Sequence, residues 1–213
     1  MTREEDEITR VRKLVVVFDI CSSTTILHDL KSTDNLAEWR NLLIGMKNGL
    51  LHEGGKLEME LYKFIGDGWV LLFPEDVNRD TLCTFLSVIS MAFDAQFERS
   101  VSPLLQSRLS PCGLMFGIDS GELIRLEMND QFEYIGRAIN VAARLQSATK
   151  ELPHGPSYKA LFSKNSLNSL QSPRPSKKFK QAEVNLRNIV PPEIDCFLFE
   201  TYKNVQRESA SFV

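Results

Sequence analysis

Residues 13–19, Lys-Leu-Val-Val-Val-Phe-Asp, form an apolar run that ends on a carboxylate. A run without alternation marks a strand buried on both faces. Downstream, Leu36, Trp39, Leu43, Met46 and Leu50 recur at helical spacing, with Ser32-Thr33-Asp34 as cap candidates and Gly54-Gly55 as the stop. Residues 56–65 switch to period two: Leu57, Met59 and Leu61 face one way, Glu58, Glu60 and Tyr62 the other, as in a half-buried strand. Ile65-Gly66-Asp67-Gly68 then turns the chain into a second strand, Trp69–Phe73, with Asp67 at the hairpin tip. After Pro74-Glu75-Asp76 the stripe Leu82, Phe85, Leu86, Ile89, Phe93, Phe97 and Val101 predicts a second long helix whose aromatics are core. Residues 112–128 read as strand, turn at Asp119-Ser120-Gly121, strand, and a further helix opens at Gly136. Residues 151–180 are loop-rich and end in a basic stretch, and residues 194–202 alternate like a last edge strand. The order βααββ-α-ββ-α-β predicts an α+β fold, a sheet backed by helices.

Composition sets the frame for that pattern. With 213 residues, 43% of them hydrophobic, the chain fits one domain with a real core. It divides into a charged N-terminal arm (1–10), a domain (11–203) and a C-terminal tail (204–213). Lys+Arg number 25 against 28 Asp+Glu, so no overall basic field favours nucleic acid. No run approaches a transmembrane helix, and the charged N-terminus is not a secretory signal, so a cytoplasmic protein with no membrane partner is expected. Cys21, Cys83, Cys112 and Cys196 lie far apart without a CxxC, which predicts reduced core thiols. His28, His52 and His154 have no ligand spacing and are expected at the surface or at helix ends.

Two positions change the picture from fold to chemistry. Asp19 and Asp67 each end an apolar strand, where a carboxylate is expensive to desolvate unless a positive group meets it. Such a pair suits a divalent cation with oxygen ligands. On the predicted helix after Gly136, Asn140 and Arg144 are four apart and share a face, and Arg137 lies on it one turn earlier. Taken alone, that stripe is also what the solvated side of a helix looks like.

Four segments in order, FDICSST, KFIGDG, GIDSGEL and IGRAINVAARLQ, resemble the class III nucleotidyl cyclase catalytic domain, and the likeness runs from about Lys13 to about Tyr202. The resemblance implies a mostly antiparallel sheet packed with helices around a ferredoxin-like core. It implies that Asp19 and Asp67, with the backbone carbonyl of Ile20, hold two divalent ions, Mn2+ or Mg2+. Phe18 and the residues after Ile20 match the turn that approaches the triphosphate, whose N–H groups at a helix start suit an anion. Asn140 matches the asparagine that positions the ribose, and Arg144 the arginine that steadies charge at the α-phosphate. Lys63 falls on the position of a base-contacting lysine in adenine-selecting members. The sequence departs from the pattern at Glu133, where adenylate cyclases usually carry Asp or Thr, and at Arg137, where Asp is common. The late polyphosphate-binding lysine has no clear match; Arg187, Lys177, Lys178 and Lys180 are the candidates.

The implied reaction converts a nucleoside triphosphate to a 3′,5′-cyclic nucleotide and pyrophosphate. The implied assembly is a head-to-tail homodimer with active sites at its interface, one subunit supplying Asp19 and Asp67 and the other Lys63, Asn140 and Arg144. The base is set less tightly. Glu133 accepts hydrogen bonds only, so it suits an exocyclic amine or an imide N–H; pairing with Arg137 at the helix start is the structural alternative. The chain reads as a bare catalytic domain, and its GRAINVAARLQ helix resembles the stand-alone Pycsar pyrimidine cyclases of bacterial antiphage defence. That predicts a uridylate cyclase whose cyclic UMP is read by a separate effector. An adenylate cyclase is the runner-up, and a catalytically silent nucleotide-binding regulator is the alternative of another class. A two-metal phosphatase or nuclease would need more carboxylates or histidines near the two aspartates.

Overall fold

The computed structural model describes residues 9–109, 112–152, 158–171, 178–186, 188–189 and 194–202. The apolar run becomes β1 (Thr9–Ile20), which starts before the expected residue 13 because Thr9 and Arg10 already pair with Arg125 and Ile124. Two helices follow, α1 (Ser23–Ser32) and α2 (Leu36–Gly55), separated where Asp34 takes a left-handed φ of 57°. The hairpin is β2 (Glu60–Phe64) and β3 (Gly68–Pro74); the alternation expected from residue 56 starts four residues late, after a turn with Glu58 at φ 52°. α3 (Arg79–Ser100) begins at Asn78, whose side chain accepts from the N–H groups of Asp80 and Thr81. β4 (Leu114–Met128), β5 (Gln131–Ile135) and α4 (Arg137–Ala148) complete the middle of the chain. β6 (Tyr158–Ser163), α5 (Lys164–Ser169), β7 (Lys180–Ala182) and β8 (Cys196–Tyr202) end it.

Among the described residues the strands form one sheet in the order β2-β3-β1-β4-β6-β8-β7, with β5 paired to β4 outside that path. Every pairing is antiparallel except β4 with β6, so the α+β, mostly antiparallel architecture expected from the sequence holds. One face carries Leu14, Val16, Phe18 and Ile20 and is covered by α1, α2 and α3, with Leu42, Leu86, Phe93 and Phe97 buried against it. The other face carries Val15, Val17, Val70 and Leu72 and is covered by α4. The four cysteines are buried thiols, as expected. His28 and His52 have exposed side chains, 82% and 75%, and His154 lies outside the described residues, as do residues 1–8 of the arm and the tail. No helix among the described residues is long and apolar enough to cross a membrane.

Three expectations are corrected. The turn at Asp119-Ser120-Gly121 is absent: β4 runs straight through it, paired with β1, the buried Asp119 carboxylate accepts a hydrogen bond from Ser163 Oγ, and the Ser120 carbonyl accepts from Asn165 Nδ2. Pairing with β1 and side-chain partners on the other side override a local turn signal. The loop-rich stretch 151–180 contains the fully buried strand β6. The last strand is not at the edge, since the three-residue β7 pairs with it.

Candidate active site

Asp19 is the last polar residue of β1, directly opposite Gly68 of β3. A Cβ at Gly68 would lie 1.9 Å from the Phe18 carbonyl oxygen, so only glycine lets the hairpin close onto the strand end there. The Ile20 N–H donates to the Asp67 carbonyl at 3.2 Å, and the Asp67 charge acts on Asp19. The two aspartates singled out from the sequence therefore meet at one rim of the sheet. Phe18 and Ile20 point into the opposite core, fully buried, which leaves Ile20 its backbone carbonyl as a possible ligand. The following turn places Ser22 at φ 60°, left-handed for a residue that rarely adopts it, before the first turn of α1.

Both Asp19 oxygens are already engaged from α4. Gln146 Nε2 donates to Oδ1 at 2.6 Å and Lys150 Nζ donates to Oδ2 at 2.6 Å. Burial pushes the Asp19 carboxyl up, and the Lys150 hydrogen bond opposes that push. Lys150 ends raised, because Asp19 outweighs the effect of its own burial. Beside them the Cys21 thiol is pushed up to about 12 by burial and is inert at neutral pH. α4 reaches Asp19 because it lies directly on β4 at Gly117, where a Cβ would come 2.0 Å from the Ala142 carbonyl oxygen and 2.2 Å from the Gln146 nitrogen. Neither Gln146 nor Lys150 was singled out from the sequence. Their signal was the period-four series Ala142, Gln146, Lys150, which continues the packed face of the helix beyond its apolar residues.

Arg137, Asn140 and Arg144 share one exposed stripe of α4, as their spacing predicts. The Asn140 and Arg144 side chains have no hydrogen-bond or ion-pair partner among the described residues, while Arg137 acts electrostatically on Asp119. At about 100° per residue, this stripe points roughly a third of a turn away from Gln146 and Lys150. Asp19 and Asp67 on one side and Asn140 and Arg144 on the other are not brought together within one chain.

Lys63 and Glu133 do meet. Lys63 Nζ lies 3.0 Å from Glu133 Oε2, and Tyr62 Oη donates to the same oxygen at 2.5 Å. The Tyr62 and Lys63 hydrogen bonds hold the Glu133 carboxyl below its ordinary range. The pairing of Glu133 with Arg137 is therefore not the one formed. Strict alternation would place Lys63 with Leu61 on the core face; a bulge between Leu61 and Lys63 instead turns both Tyr62 and Lys63 toward Glu133. Tyr62 also accepts from the Tyr134 N–H at 3.0 Å, and the two rings meet edge to face at 5.0 Å. Tyr62, missed in the sequence, is thus the clamp between β2 and β5.

Of the candidates for a polyphosphate cation, Lys178 and Lys180 stand with Ser87 and Thr201 at the β7–β8 end of the sheet, far from the hairpin in strand order, and Lys180 pairs with Glu200 at 3.4 Å. Lys177 and Arg187 lie outside the described residues.

The donor set fits a hard divalent ion: two carboxylates and a backbone carbonyl, with a lysine ammonium already supplying positive charge to Asp19. Among the described residues no three His, Cys, Asp or Glu side chains cluster, so a bound ion would complete its shell with substrate oxygens and water.

No protein-family model matches the sequence, and no curated protein matches it. Solved structures match the fold. A bacterial light-regulated adenylyl cyclase superposes with a TM-score of 0.69 at 19% identity, covering 95% of this chain and 57% of that one, so the chain spans little more than half of that protein. The guanylyl cyclase Cya2 matches with a TM-score of 0.65 at 16% identity over 90% of this chain and 92% of that one. The adenylyl cyclase CyaB from P. aeruginosa matches with a TM-score of 0.62 at 18% identity over 90% and 95%. The chain thus has the fold of adenylyl and guanylyl cyclase domains.

Proposed function

We propose that the chain is a nucleotidyl cyclase that converts a nucleoside triphosphate to a 3′,5′-cyclic nucleotide and pyrophosphate, with UTP as its substrate. The observation that carries the reading is the meeting of Asp19 and Asp67 at Gly68, on a fold shared with adenylyl and guanylyl cyclases. Two divalent ions, Mn2+ or Mg2+, held by Asp19, Asp67 and the Ile20 carbonyl would supply a Lewis acid for the ribose 3′-hydroxyl and positive charge for the triphosphate. The residues of the chain do the rest. The turn after Ile20 offers N–H groups of the first turn of α1 to phosphate oxygens. Arg144 donates to the α-phosphate as charge develops there, and Asn140 holds the ribose in line. Arg137, a turn earlier, adds a cation to the same stripe.

Lys63 and Glu133 read the base edge. One donor beside one acceptor matches uracil, whose carbonyl accepts from Lys63 while its imide N–H donates to Glu133. Adenine satisfies the same pair through its ring nitrogen and amine, which keeps an adenylate cyclase as the second reading. The sequence resemblance to stand-alone pyrimidine cyclases of antiphage defence favours uracil and implies a separate effector for the product.

The divergent stripes of α4 support a second subunit: a head-to-tail homodimer would bring Asn140 and Arg144 of one chain to the aspartates of the other, giving two equivalent sites. Exposed apolar surface is available for it. Ile124, Met128, Phe132 and Ile135 project from the β4–β5 hairpin, and Leu36, Trp39, Leu43, Ile44, Phe64 and Trp69 line a groove of ≈ 540 Å³ between α2 and β2–β3.

The test is incubation of the purified chain with each of the four NTPs and Mn2+, with Asp67→Ala in parallel. Cyclic UMP as the dominant product, lost in Asp67→Ala, supports the proposal. Cyclic AMP as the dominant product selects the second reading. Equal, near-zero pyrophosphate release by both proteins, with nucleotide still bound, selects the silent binding module.

A further inference from the structure

Asp19 presents no free oxygen to an incoming metal: Gln146 holds one and Lys150 the other. The two donors are anchored differently. Gln146 is 7% exposed and its backbone lies against Gly117, so it stays with the helix. Lys150 stands just past the end of α4 with 45% of its side chain exposed, so its stem can swing without moving the helix. A divalent ion competes with Lys150 for the outer Asp19 oxygen, because a +1 and a +2 charge drawn to one carboxylate oxygen repel each other at contact distance. The displaced ammonium remains tethered beside the site, within reach of a new anion.

That anion has a place. Both Lys150 and Lys159 act electrostatically on Cys21, the residue before the turn that opens α1. Lys159 is 5% exposed, and its single hydrogen bond among the described residues is a long one, 3.5 Å to the Leu152 carbonyl. Its register neighbour on β4 is Met115, itself the register neighbour of Asp19, so Asp19, Met115 and Lys159 lie side by side on one face. Two lysines thus stand close enough to act on Cys21, the residue that links Asp19 and Ile20 to the start of α1.

We propose that Lys150 is a partner-exchanging counter-cation: it neutralises Asp19 in the metal-free chain, yields the carboxylate to the divalent ion, and then binds the polyphosphate of the nucleotide together with Lys159. Metal and nucleotide then bind as a coupled pair, and Lys150 fills the polyphosphate role for which the sequence offered no clear residue. The proposal rests on the nucleotide-binding reading above but not on turnover or on the choice of base.

The experiment measures Mn2+ binding to the full chain without nucleotide, from the spin-resonance signal of the free ion, and then binding of Mn2+–tripolyphosphate by calorimetry. Lys150→Met is expected to bind Mn2+ about tenfold more tightly than wild type and Mn2+–tripolyphosphate about tenfold more weakly relative to its Mn2+ affinity. Lys150→Arg, which keeps the charge, stays near wild type in both. Mn2+ binding unchanged or weakened in Lys150→Met overturns the proposal and leaves the cyclase reading standing. Tighter Mn2+ with unchanged tripolyphosphate overturns the exchange onto phosphate. Wild-type Mn2+ binding that Asp19→Ala does not reduce removes the metal site, and both readings fall together.

Discussion

On one face of the sheet, α1, α2 and α3 bury Phe18, Phe73, Phe93 and Phe97 among leucines and isoleucines, and its buried aspartates, Asp29 and Asp94, are held by hydrogen bonds from Ser107 and Tyr158. On the other face a single twelve-residue helix covers Val15, Val17, Val70 and Leu72 and carries Asn140, Arg144 and Gln146, with Lys150 just past its end. Asp19, Lys63 and Tyr62 lie on this thinly covered face, with Glu133 against them. The contrast is a division of labour. A face closed by three helices supplies stability, and a face closed by one leaves room for charged groups, the ones the proposed cyclase would present to ligand, metal and a second chain.

The most severe test of this contrast is complementation. Asp67→Ala and Arg144→Ala are each expected to lower cyclase activity by about 10²–10³-fold while leaving the melting temperature near wild type. Mixed and allowed to exchange subunits, the two dead variants should recover about a quarter of wild-type activity, because half of the dimers then contain one intact site. No recovery despite subunit exchange would place both residues in the same site half and break the two-chain reading.

Stability should respond to the other face. Phe93, fully buried, stacks on Phe97 at 5.5 Å and meets the Tyr158 ring. Phe93→Ala is expected to cost about 3–5 kcal/mol in urea unfolding, while Ile139→Ala, half-buried on α4, costs about 1 kcal/mol or less. Equal costs would mean that α4 is packed as tightly as α3.

The smallest effect is an acid dependence on the closed face. Asp29 accepts from the Ser107 N–H at 2.7 Å and from the Gln106 N–H at 3.0 Å, and these bonds hold its carboxyl below the ordinary range. A lowered carboxyl contributes stability that is fully present above the unfolded value, near pH 4, and is lost as pH falls through the folded value. The stability gap between wild type and Asp29→Asn should therefore be constant from pH 7 to about 5 and narrow below about 4. A gap independent of pH would mean that those hydrogen bonds do not favour the charged form.

The closed face was the more legible one. The run 13–19 and the aromatic stripe of α3 carry their periodicity openly, since nearly every position answers to burial alone. The functional face obeys several demands at once, and local pattern fails there. Asp119-Ser120-Gly121 has turn composition yet sits mid-strand, because Ser163 satisfies the buried carboxylate. Lys63 breaks alternation because a bulge turns it. β6 was lost in a loop-rich stretch because Lys159 interrupts its six buried residues. The aspartates and the Asn140–Arg144 stripe were legible from spacing and order. Their partners Gln146, Lys150 and Tyr62 were not, because each is defined by a contact across more than seventy residues of sequence.

Gly117 gives α4 a mechanical meaning. One absent methyl group lets the helix sit flush on the sheet, and that seat sets two distances together: how far Gln146 and Lys150 reach toward Asp19, and how far Asn140 and Arg144 stand out from the surface. The helix is therefore seated on the sheet backbone to backbone near its middle, with Ala138, Val141 and Leu145 packed on either side of that point. A displacement at that seat would shift both sets of side chains together, so in the proposed homodimer a change of one carbon at Gly117 would be felt at both halves of both sites.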